Sequence, residues 1–395
     1  MPAPAAQWDE VYRLLSWWDA ERIAAARVLV VGAGALGNEV IKNLALLGVG
    51  HLAIVDFDAI EYGNLSRSVL FRPGDVGKNK AEVAAAMARE INPNCAVRAY
   101  RGDIVYDLGL GFLDSMDVFV GCLDNRVARL YLNRYAHRLG KTWVNGGILN
   151  LAGSLDVFRP GVSCYECGLR PREWAIIRQR LGCSDVAKRN ANEGRVPTTP
   201  ISASIIGAMQ AQEALKVVYG NDDQLTADRR YFYDGQSNES HYFPAKPLRE
   251  DCQSHVRWDD IVEDEGLSAE MTLAELLAAL SRRFGTDEVR IELEYDIVLE
   301  LYSEESARST AVLLPRFRID DAVYRAHQFV VGEAVRIPPE AAVSVLDGDF
   351  PRPEARLTDL GIPHWQILPV DAGDSLYFVS LAGDRDRYAE PKHHN

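Results

Sequence analysis

The stretch RVLVVGAGALGNEVIKNLALLGVGHLAIVDFD, residues 27–58, decides the fold of this chain. An apolar run at 28–31 leads into a glycine-rich turn, residues 38–47 have helical spacing, and a second apolar run ends at Asp56. This succession predicts a strand, a helix and a second strand that form one βαβ unit, with the two strands parallel in the same sheet.

The glycine turn predicts a phosphate-binding site. Gly32, Gly34 and Gly37 allow a tight turn and a close approach of the backbone to phosphate, and the N-terminus of the next helix supplies free N–H groups. Asp56 follows where an acid would accept hydrogen bonds from ribose hydroxyls. These features alone do not identify the nucleotide, and an NAD-dependent dehydrogenase satisfies them equally well.

Chain length and net charge limit the number of domains and the classes of partner. A chain of 395 residues predicts two domains. The formal charge of -14 disfavours nucleic acid and anionic lipid as partners and would attract a basic protein. The N-terminus lacks the pattern of a signal peptide, and no apolar run approaches the length of a membrane span, so we expect a cytoplasmic protein.

Strands and helices continue to alternate after the first unit. Residues 80–93 predict a helix stopped by Pro93, and 117–124 and 142–148 predict buried strands, so the sheet should be mostly parallel and covered on both faces. Residues 170–197 show no sustained periodicity and are expected to form a surface crossover loop. A strong helix should follow, with Thr199 as N-cap and Pro200 in its first position. Its predicted buried side consists of Ile201, Ile205, Met209 and Leu215.

The character of the chain changes after about residue 243. A polar, proline-bearing linker at about 244–256 separates a first domain, 1–256, from a second, 257–395. Thr272 and Glu275 have capping-box spacing at the start of a short helix, and the later segments alternate apolar and polar residues. The second domain should therefore be a small α+β module, with a disordered tail at about 385–395.

Polar residues beyond Asp56 favour a triphosphate over a dinucleotide. Asn64, Arg67 and Lys80 follow soon after the acid, and a dinucleotide site has no evident need for them. Arg67 and Lys80 could neutralise the β- and γ-phosphates, and Asp124, at the end of its strand, could hold Mg²⁺. The alternative is that both cations are solvated surface charges.

Taken together, these motifs resemble those of the ubiquitin-activating-type adenylating enzymes. The resemblance rests on VLVVGAGALGNEV, IVDFDAIEYGNLSR, GKNKAE, CLDNRVAR, WVNGGI and CYECG, in that order, over roughly residues 27–220. This ThiF/MoeB-like family includes the bacterial adenylating proteins of thiamine and molybdopterin synthesis, and bacterial ubiquitin-activating-like enzymes with a crossover-loop cysteine are similar. The resemblance implies a Rossmann-like domain that adenylates the C-terminal glycine carboxylate of a ubiquitin-like protein with ATP and Mg²⁺.

The resemblance also assigns roles to individual positions. It implies that Asp56 binds ribose, that Asn64, Arg67 and Lys80 contact phosphates, and that Asp124 binds magnesium. Asp58 and Asn125 lie in the same two motifs and complete the nucleotide-binding set. Arg13 is the candidate for the arginine that family members insert from the N-terminal segment of a partner subunit, and a homodimer is expected. The attack of a carboxylate on phosphorus requires no general base, so His51 and His137 are expected to be structural or surface residues.

Two cysteine pairs predict a structural zinc site. Cys164 and Cys167 form a CxxC pair, and Cys252 and His255 have the same two-residue separation in the linker. Four protein ligands would close the coordination shell and pin the linker to the first domain. The alternative is two unrelated pairs.

Cys183 lies in the predicted crossover, with arginine and lysine residues nearby in sequence that would raise its thiolate fraction. The resemblance implies that such a cysteine attacks the acyl-adenylate to form a thioester; the alternative is an incidental loop cysteine. Cys95 and Cys122 lie in apolar segments and are expected to be core residues.

Residues 257–395 contain no cysteine that could carry sulfur. By analogy of position, the second domain could be a ubiquitin-fold-like module that recruits a conjugating enzyme, or a dimerisation or lid domain. The expected function is therefore activation of a ubiquitin-like protein, thioester formation on Cys183 and transfer to a conjugating enzyme. The alternatives are sulfur-carrier activation without a thioester, an NAD-dependent oxidoreductase and a non-catalytic scaffold.

Overall fold

The first domain is built on one large sheet, in a computed structural model that describes residues 12–181, 197–329 and 334–383. The strands of this sheet are β1 (Arg27–Val31), β2 (His51–Val55), β3 (Ala96–Tyr100), β4 (Val118–Gly121), β5 (Thr142–Leu149), β6 (Ala152–Phe158), β7 (Arg229–Asp234) and β8 (Glu239–Pro244). Their order across the sheet is β3-β2-β1-β4-β5-β6-β7-β8. Strands β1 to β5 pair in parallel, and β6 to β8 continue the sheet antiparallel. The predicted mostly parallel sheet is confirmed.

Helices cover both faces of this sheet. They are α1 (Ala20–Ala25), α2 (Ala35–Leu46), α3 (Lys80–Ile91), α4 (Leu110–Asp114), α5 (Arg126–Arg138), α6 (Pro171–Leu181) and α7 (Pro200–Val218). Strand β1 shows why the sheet is doubly covered: Val28 and Val30 pack in one core with α2, α3 and α7, while Leu29 packs in the other with α4, α5 and α6. Because successive side chains of a strand point to opposite faces, its continuous apolar run requires two buried faces.

The prediction of a loop at 170–197 is partly wrong, because the helix α6 occupies Pro171–Leu181. Ile177 is fully buried and Trp174 packs against the same core, so this helix is held by a narrow apolar contact. So few apolar residues do not produce a recognisable helical spacing in a sequence that is otherwise largely charged. Residues 182–196 of the expected crossover lie outside the described residues.

Helix α7 begins as predicted, with the Thr199 hydroxyl accepting a hydrogen bond from Ser202 N–H and Pro200 in the first position. Of the predicted side, Leu215 is buried and Ile205 and Met209 pack partly buried against the core, whereas Ile201 is 63% exposed. The fully buried side chains of this helix are those of Ser202, Ala203, Ile206, Gln210 and Ala214. The helix lies so close to the sheet that small residues and one amide occupy much of the contact.

The second domain is a separate, largely antiparallel sheet with a helix packed against it. Its strands are β9 (Val262–Glu263), β10 (Val289–Ser303), β11 (Arg308–Pro315), β12 (Val335–Arg336), β13 (Ala342–Leu346), β14 (Ile367–Ala372) and β15 (Ser375–Ser380). Helices α8 (Leu273–Phe284) and α9 (Asp321–Ala326) complete it. The Thr272–Glu275 capping box at the start of α8 is present, which confirms that prediction. The predicted tail lies outside the described residues.

Trp365 of the second domain enters the core of the first. Its ring is 8% exposed and packs in the same cluster as α4 and α5. Gly111 N–H donates to the Trp365 carbonyl at 2.9 Å, and Leu110 N–H donates to Gln366 Oε1 at 2.8 Å. Phe317 stacks on Tyr106 with ring centroids 3.9 Å apart. The two domains therefore share a packed interface.

Within the three described ranges, no helix is both long enough and apolar enough to pass through a bilayer.

Candidate active site and metal centre

The glycine turn joins β1 to α2 at the carboxyl edge of the parallel strands. Gly32 has φ +94°, and a Cβ there would lie 2.4 Å from the Cys122 carbonyl oxygen. A Cβ at Gly37 would lie 1.9 Å from the Gly32 carbonyl oxygen. Gly34, by contrast, would meet nothing within 4 Å. Two of the glycines are thus required by packing, and the third leaves open space beside the turn.

Asp56 is fixed next to this turn at the end of β2. Its carboxylate accepts hydrogen bonds from Ala33 N–H and Asp58 N–H, both at 2.8 Å. Burial raises the pKa of Asp56 above its ordinary value, although Lys80 acts in the opposite direction. The carboxylate is therefore held in one orientation by the backbone at the edge of the glycine turn, where an acid that binds ribose is expected.

Lys80 lies at the start of α3 and faces the acids. Its ammonium group is 2.7 Å from Asp58 Oδ2, and its side chain is 12% exposed. Burial lowers the pKa of Lys80, but the carboxylates of Asp56, Asp58 and Asp124 outweigh burial and raise it above the usual value. The structure thus pairs this cation with Asp58, just after β2, and its contact with phosphates stays a prediction.

Asn79 was missed by the sequence interpretation and holds the same region together. Its side-chain NH₂ donates to the carbonyls of Asp56 and Asp58 at 3.0 and 3.1 Å, and its oxygen caps α3 at Glu82 N–H. An asparagine immediately before a helical pattern is an N-cap signal, so its position could have been predicted. Its contact with β2 could not, because that depends on the tertiary fold.

Asn64 and Arg67 lie in the segment between β2 and α3. The Asn64 amide oxygen accepts from Glu61 N–H at 2.8 Å, and Arg67 Nη1 donates to the Gly63 carbonyl at 2.9 Å. Both side chains are half-buried and are engaged within their own turn. Asn38, also missed, connects this segment to the glycine turn, because its oxygen accepts from Leu70 N–H at 2.8 Å.

Asp124 and Asn125 follow β4. Asp124 is exposed, and Asn125 is buried as the N-cap of α5, where its oxygen accepts from Ala128 N–H at 3.0 Å. Arg129 holds the preceding loop, since its guanidinium donates to the Leu123 carbonyl and to the Gly146 carbonyl. An exposed carboxylate after a parallel strand is a suitable oxygen ligand for magnesium.

The two predicted halves of the metal site come together. The ligand atoms of Cys164, Cys167, Cys252 and His255 all lie within 4.8 Å of one another. Cys164 Sγ is 3.7 Å from Cys167 Sγ and 3.6 Å from Cys252 Sγ, and Cys167 Sγ is 3.5 Å from His255 Nε2. The sulfurs are too far apart for a disulfide, and a tetrahedral zinc with Zn–S bonds of about 2.3 Å separates its ligands by roughly 3.8 Å. The donor set fits a zinc ion.

A buried acid braces these two halves. Glu166, between the two cysteines of the first pair, accepts hydrogen bonds from Ser254 Oγ and, at 3.3 Å, from Arg134 Nε. The His137 ring lies 5.1 Å from that of His255, and burial lowers its pKa to about 4. His137 is therefore a buried structural residue. His51 is half-buried at the start of β2, at the opposite end of that strand from Asp56.

The remaining cysteines separate by environment. Burial raises the pKa of the Cys95 and Cys122 thiols to about 12, so neither is a ready nucleophile. Cys95 is buried, as predicted, whereas Cys122 is half-buried behind the glycine turn. Cys183 lies outside the described residues. Arg13 lies in the turn Tyr12–Leu14, but its side chain is also outside the described part.

Comparison with known proteins shows which family this chain matches. The sequence profile of the ThiF family matches residues 12–254. The adenylyltransferase and sulfurtransferase MOCS3 of Culex quinquefasciatus is 32% identical over 232 residues, which are 58% of this chain and 50% of that protein. The adenylyltransferase and sulfurtransferase UBA4 of Eremothecium gossypii is 32% identical over 203 residues, 50% of this chain and 43% of that protein. The chain thus spans about half the length of these curated relatives.

Among solved structures, the fold is similar to that of MccB. The microcin C7 biosynthetic enzyme MccB in complex with N-formylated MccA has a TM-score of 0.51 and 21% identity, over 65% of this chain and 77% of that one. E. coli MccB has a TM-score of 0.50 and 21% identity, over 63% and 72% of the two chains. At this identity the likeness concerns the fold alone.

Proposed function

Since the chain belongs to the ThiF family, we propose that its first domain is an ATP-dependent adenylyltransferase that activates the C-terminal carboxylate of a ubiquitin-like protein. The observation that carries the proposal is the ion pair of Lys80 with Asp58, next to the Asp56 carboxylate that Ala33 N–H of the glycine turn holds in place. A site for an uncharged substrate would not need a cation there. A magnesium-bound triphosphate supplies both the anion that Lys80 can meet and the metal that Asp124 can hold.

Each residue has a defined task in this reaction. The N–H groups of the first turn of α2 face the phosphate chain, Asp56 orients the ribose, and Lys80, with Arg67 and Asn64, contacts the β- and γ-phosphates. Magnesium, bound by Asp124, would neutralise the remaining negative charge. A carboxylate oxygen of the substrate then forms a bond to the α-phosphorus while the bond to pyrophosphate breaks, giving an acyl-adenylate. No proton moves in this step, so positioning and charge suffice.

The relatives support a protein substrate. Their names join adenylyltransferase with sulfurtransferase, which fits activation of a small carrier protein that ends in a carboxylate. We propose the same substrate class here, with a homodimer and a cytoplasmic location as in the family resemblance. Arg13 is proposed to contact the phosphates of the ATP that is bound in the partner subunit, as the same resemblance implies.

Cys183 is proposed to take the acyl group from the adenylate. Of the chain's six cysteines, two have thiols whose pKa is raised by burial and three belong to the metal cluster. Cys183 is the remaining thiol. Its sulfur would bond to the acyl carbon as AMP leaves, and a conjugating enzyme recruited by the second domain would accept the product. The alternative is a sulfur-carrier adenylating enzyme, which the relatives' names favour and which needs no thioester.

The metal cluster is proposed to hold a structural zinc ion. All four positions are filled by protein, so the ion has no site for substrate or water. The ion would tie the linker, through Cys252 and His255, to the first domain.

One experiment tests the catalytic proposal. The chain is incubated with ATP, Mg²⁺ and candidate ubiquitin-like proteins, and substrate-dependent pyrophosphate exchange is measured. We expect exchange in the wild type, a loss of at least about a hundredfold in Lys80→Met, and unchanged exchange in Cys183→Ala. The matched control is Arg290→Met, which removes an exposed basic side chain of β10. This variant should catalyse exchange like the wild type.

The same reactions separate the alternatives. A reducible adduct with the substrate that is absent in Cys183→Ala supports the thioester, whereas exchange without any adduct favours the sulfur-carrier alternative. Absence of exchange with every candidate, together with binding of NAD, would support an oxidoreductase. Binding of no nucleotide would support a scaffold.

A further inference from the structure

Asn38 is a fully buried amide in the first turn of α2. Its exposed fraction is 0%, and its neighbours Val40 and Ile41 belong to the core. A buried carboxamide without hydrogen-bond partners destabilises the fold, so the partners of Asn38 indicate what it does. Asn38 Nδ2 donates to the carbonyls of Ala33 and Gly34 at 2.7 and 3.0 Å. Its oxygen accepts from Leu70 N–H at 2.8 Å.

These three bonds join two parts of the proposed nucleotide site. Ala33 and Gly34 form the glycine turn, and Leu70 lies three residues after Arg67 in the segment between β2 and α3. Leu70 is 2% exposed, and Phe71 beside it is 4% exposed, so this end of the segment is fixed in the core. The Asn38 amide is therefore a direct link between the turn and the backbone that carries Arg67.

We infer that Asn38 is a positioning residue that sets the distance between the glycine turn and Arg67, an inference that rests on the proposed function. By binding the two carbonyls of the turn, Asn38 fixes the peptide planes from which α2 starts. By accepting a hydrogen bond from Leu70 N–H, Asn38 also fixes the backbone segment that carries Arg67 relative to those peptide planes. Displacement of a charged group by about 1 Å can cost a hundredfold in rate, so one buried amide can control how a triphosphate is bound.

The test compares two nucleotides. Asn38→Ser shortens the side chain so that it cannot span the turn and Leu70. Affinities for a non-hydrolysable ATP analogue with Mg²⁺ and for AMP are measured by calorimetry on the full chain. Because Arg67 is assigned to the β- and γ-phosphates, we expect about a tenfold loss for the ATP analogue and less than about threefold for AMP. A merely structural role would weaken both equally.

The matched control is Asn92→Ser. Asn92 is also buried, at 2% exposure, and caps the far end of α3, twelve residues and about 18 Å along the helix from Lys80. It should lose stability in thermal denaturation without the selective loss for the ATP analogue. An equal and selective loss in Asn92→Ser would overturn the inference.

A double-mutant cycle with Arg67→Ala tests the route of action. If Asn38 acts through Arg67, the two losses in ATP-analogue affinity are not additive, and the double variant resembles Arg67→Ala. Additive losses would overturn the inference. Should Asn38→Ser not fold, Asn38→Asp replaces it, since it keeps the shape and the acceptor for Leu70 but lacks the donor to the turn. Its affinity relative to the wild type should recover at low pH, where the protonated carboxyl donates again.

Failure of the inference differs from failure of the proposed function. If the wild type binds the ATP analogue and Asn38→Ser binds it with the same affinity, only the role of Asn38 is overturned. A wild type that binds neither nucleotide overturns both.

Discussion

At the scale of single residues, the glycines of the turn have different reasons to be glycine. A Cβ at Gly37 would lie 1.9 Å from the Gly32 carbonyl oxygen, within the fold itself. Gly34 has φ -73° and would meet nothing within 4 Å, so the fold does not require glycine there. The open space beside Gly34 is where the turn can approach a phosphate.

This difference predicts opposite results for two matched variants. Gly37→Ala should lower the free energy of unfolding by about 1–3 kcal/mol, because the backbone of the turn must shift. Gly34→Ala should lower it by less than about 1 kcal/mol but weaken binding of the ATP analogue, because its methyl group stands in the space for phosphate. Chemical denaturation and calorimetry measure the two quantities. Unimpaired nucleotide binding by a stable Gly34→Ala would place the phosphate elsewhere.

At the scale of elements, the metal cluster fastens the linker to the first domain. The two ligand pairs come from the segment after β6 and from the turn Gln253–His255, and Glu166 joins them through Ser254. Because Glu166 contacts Ser254 and also pairs with Arg134 of α5, protein contacts hold the halves near each other in addition to the proposed zinc ion. Removal of the ion should therefore loosen the linker without unfolding the first domain.

We predict one zinc ion per chain in the purified wild type and none in the double variant Cys252→Ala/His255→Ala. A chelator should lower the melting temperature of the wild type by several degrees and leave that of the double variant unchanged, because ligand binding to the native state is part of its stability. Cys95→Ser, which removes a buried thiol outside the cluster, is the control and should retain zinc. Zinc in the double variant would show that these residues are not the ligands.

Elements with a strong local signal were predicted from the sequence, and those that depend on tertiary contact were not. Helix α3 ends at Ile91, before Pro93, and α7 starts after Thr199, because caps and proline act locally. Helix α6 was missed, since Ile177 and Trp174 are the core contacts among its described side chains, residues 171–178. The Cys–His cluster was predicted as a set because ligand spacing is itself local chemistry.

The same limit applies to the site. Asp56 was found as an acid directly after a parallel strand, where ligands bind in such sheets, and Lys80 as a cation that follows it in the sequence. Asn38 could not be found in this way, because its partners lie on a segment 32 residues away. A polar residue within an apolar helical face was the available signal, and it does not reveal which backbone groups the amide will meet.

At the scale of the whole molecule, the second domain is packed onto the first. Trp365 lies against α4, and a Cβ at Gly111 would be 2.3 Å from its ring, so this glycine makes room for the indole. Arg138 of α5 forms an ion pair with Glu294 of β10 across the same interface. A module held by aromatic packing, backbone hydrogen bonds and an ion pair should unfold together with its neighbour.

Trp365→Ala tests this coupling. Loss of a buried tryptophan costs about 3–5 kcal/mol, and here the loss should destabilise both domains because the ring fills a core that belongs to the first. Denaturation followed by hydrogen exchange in both domains should show protection in α5 and in β10 falling by the same amount. Trp17→Ala, at a residue that is 53% exposed, is the control and should change stability by less than about 0.5 kcal/mol.

Reduced protection confined to the second domain would mean that this domain is only loosely attached to the first. It would then be free to move as a separate recruiting arm, whereas coupled loss requires any partner to bind a surface that is fixed relative to the nucleotide site.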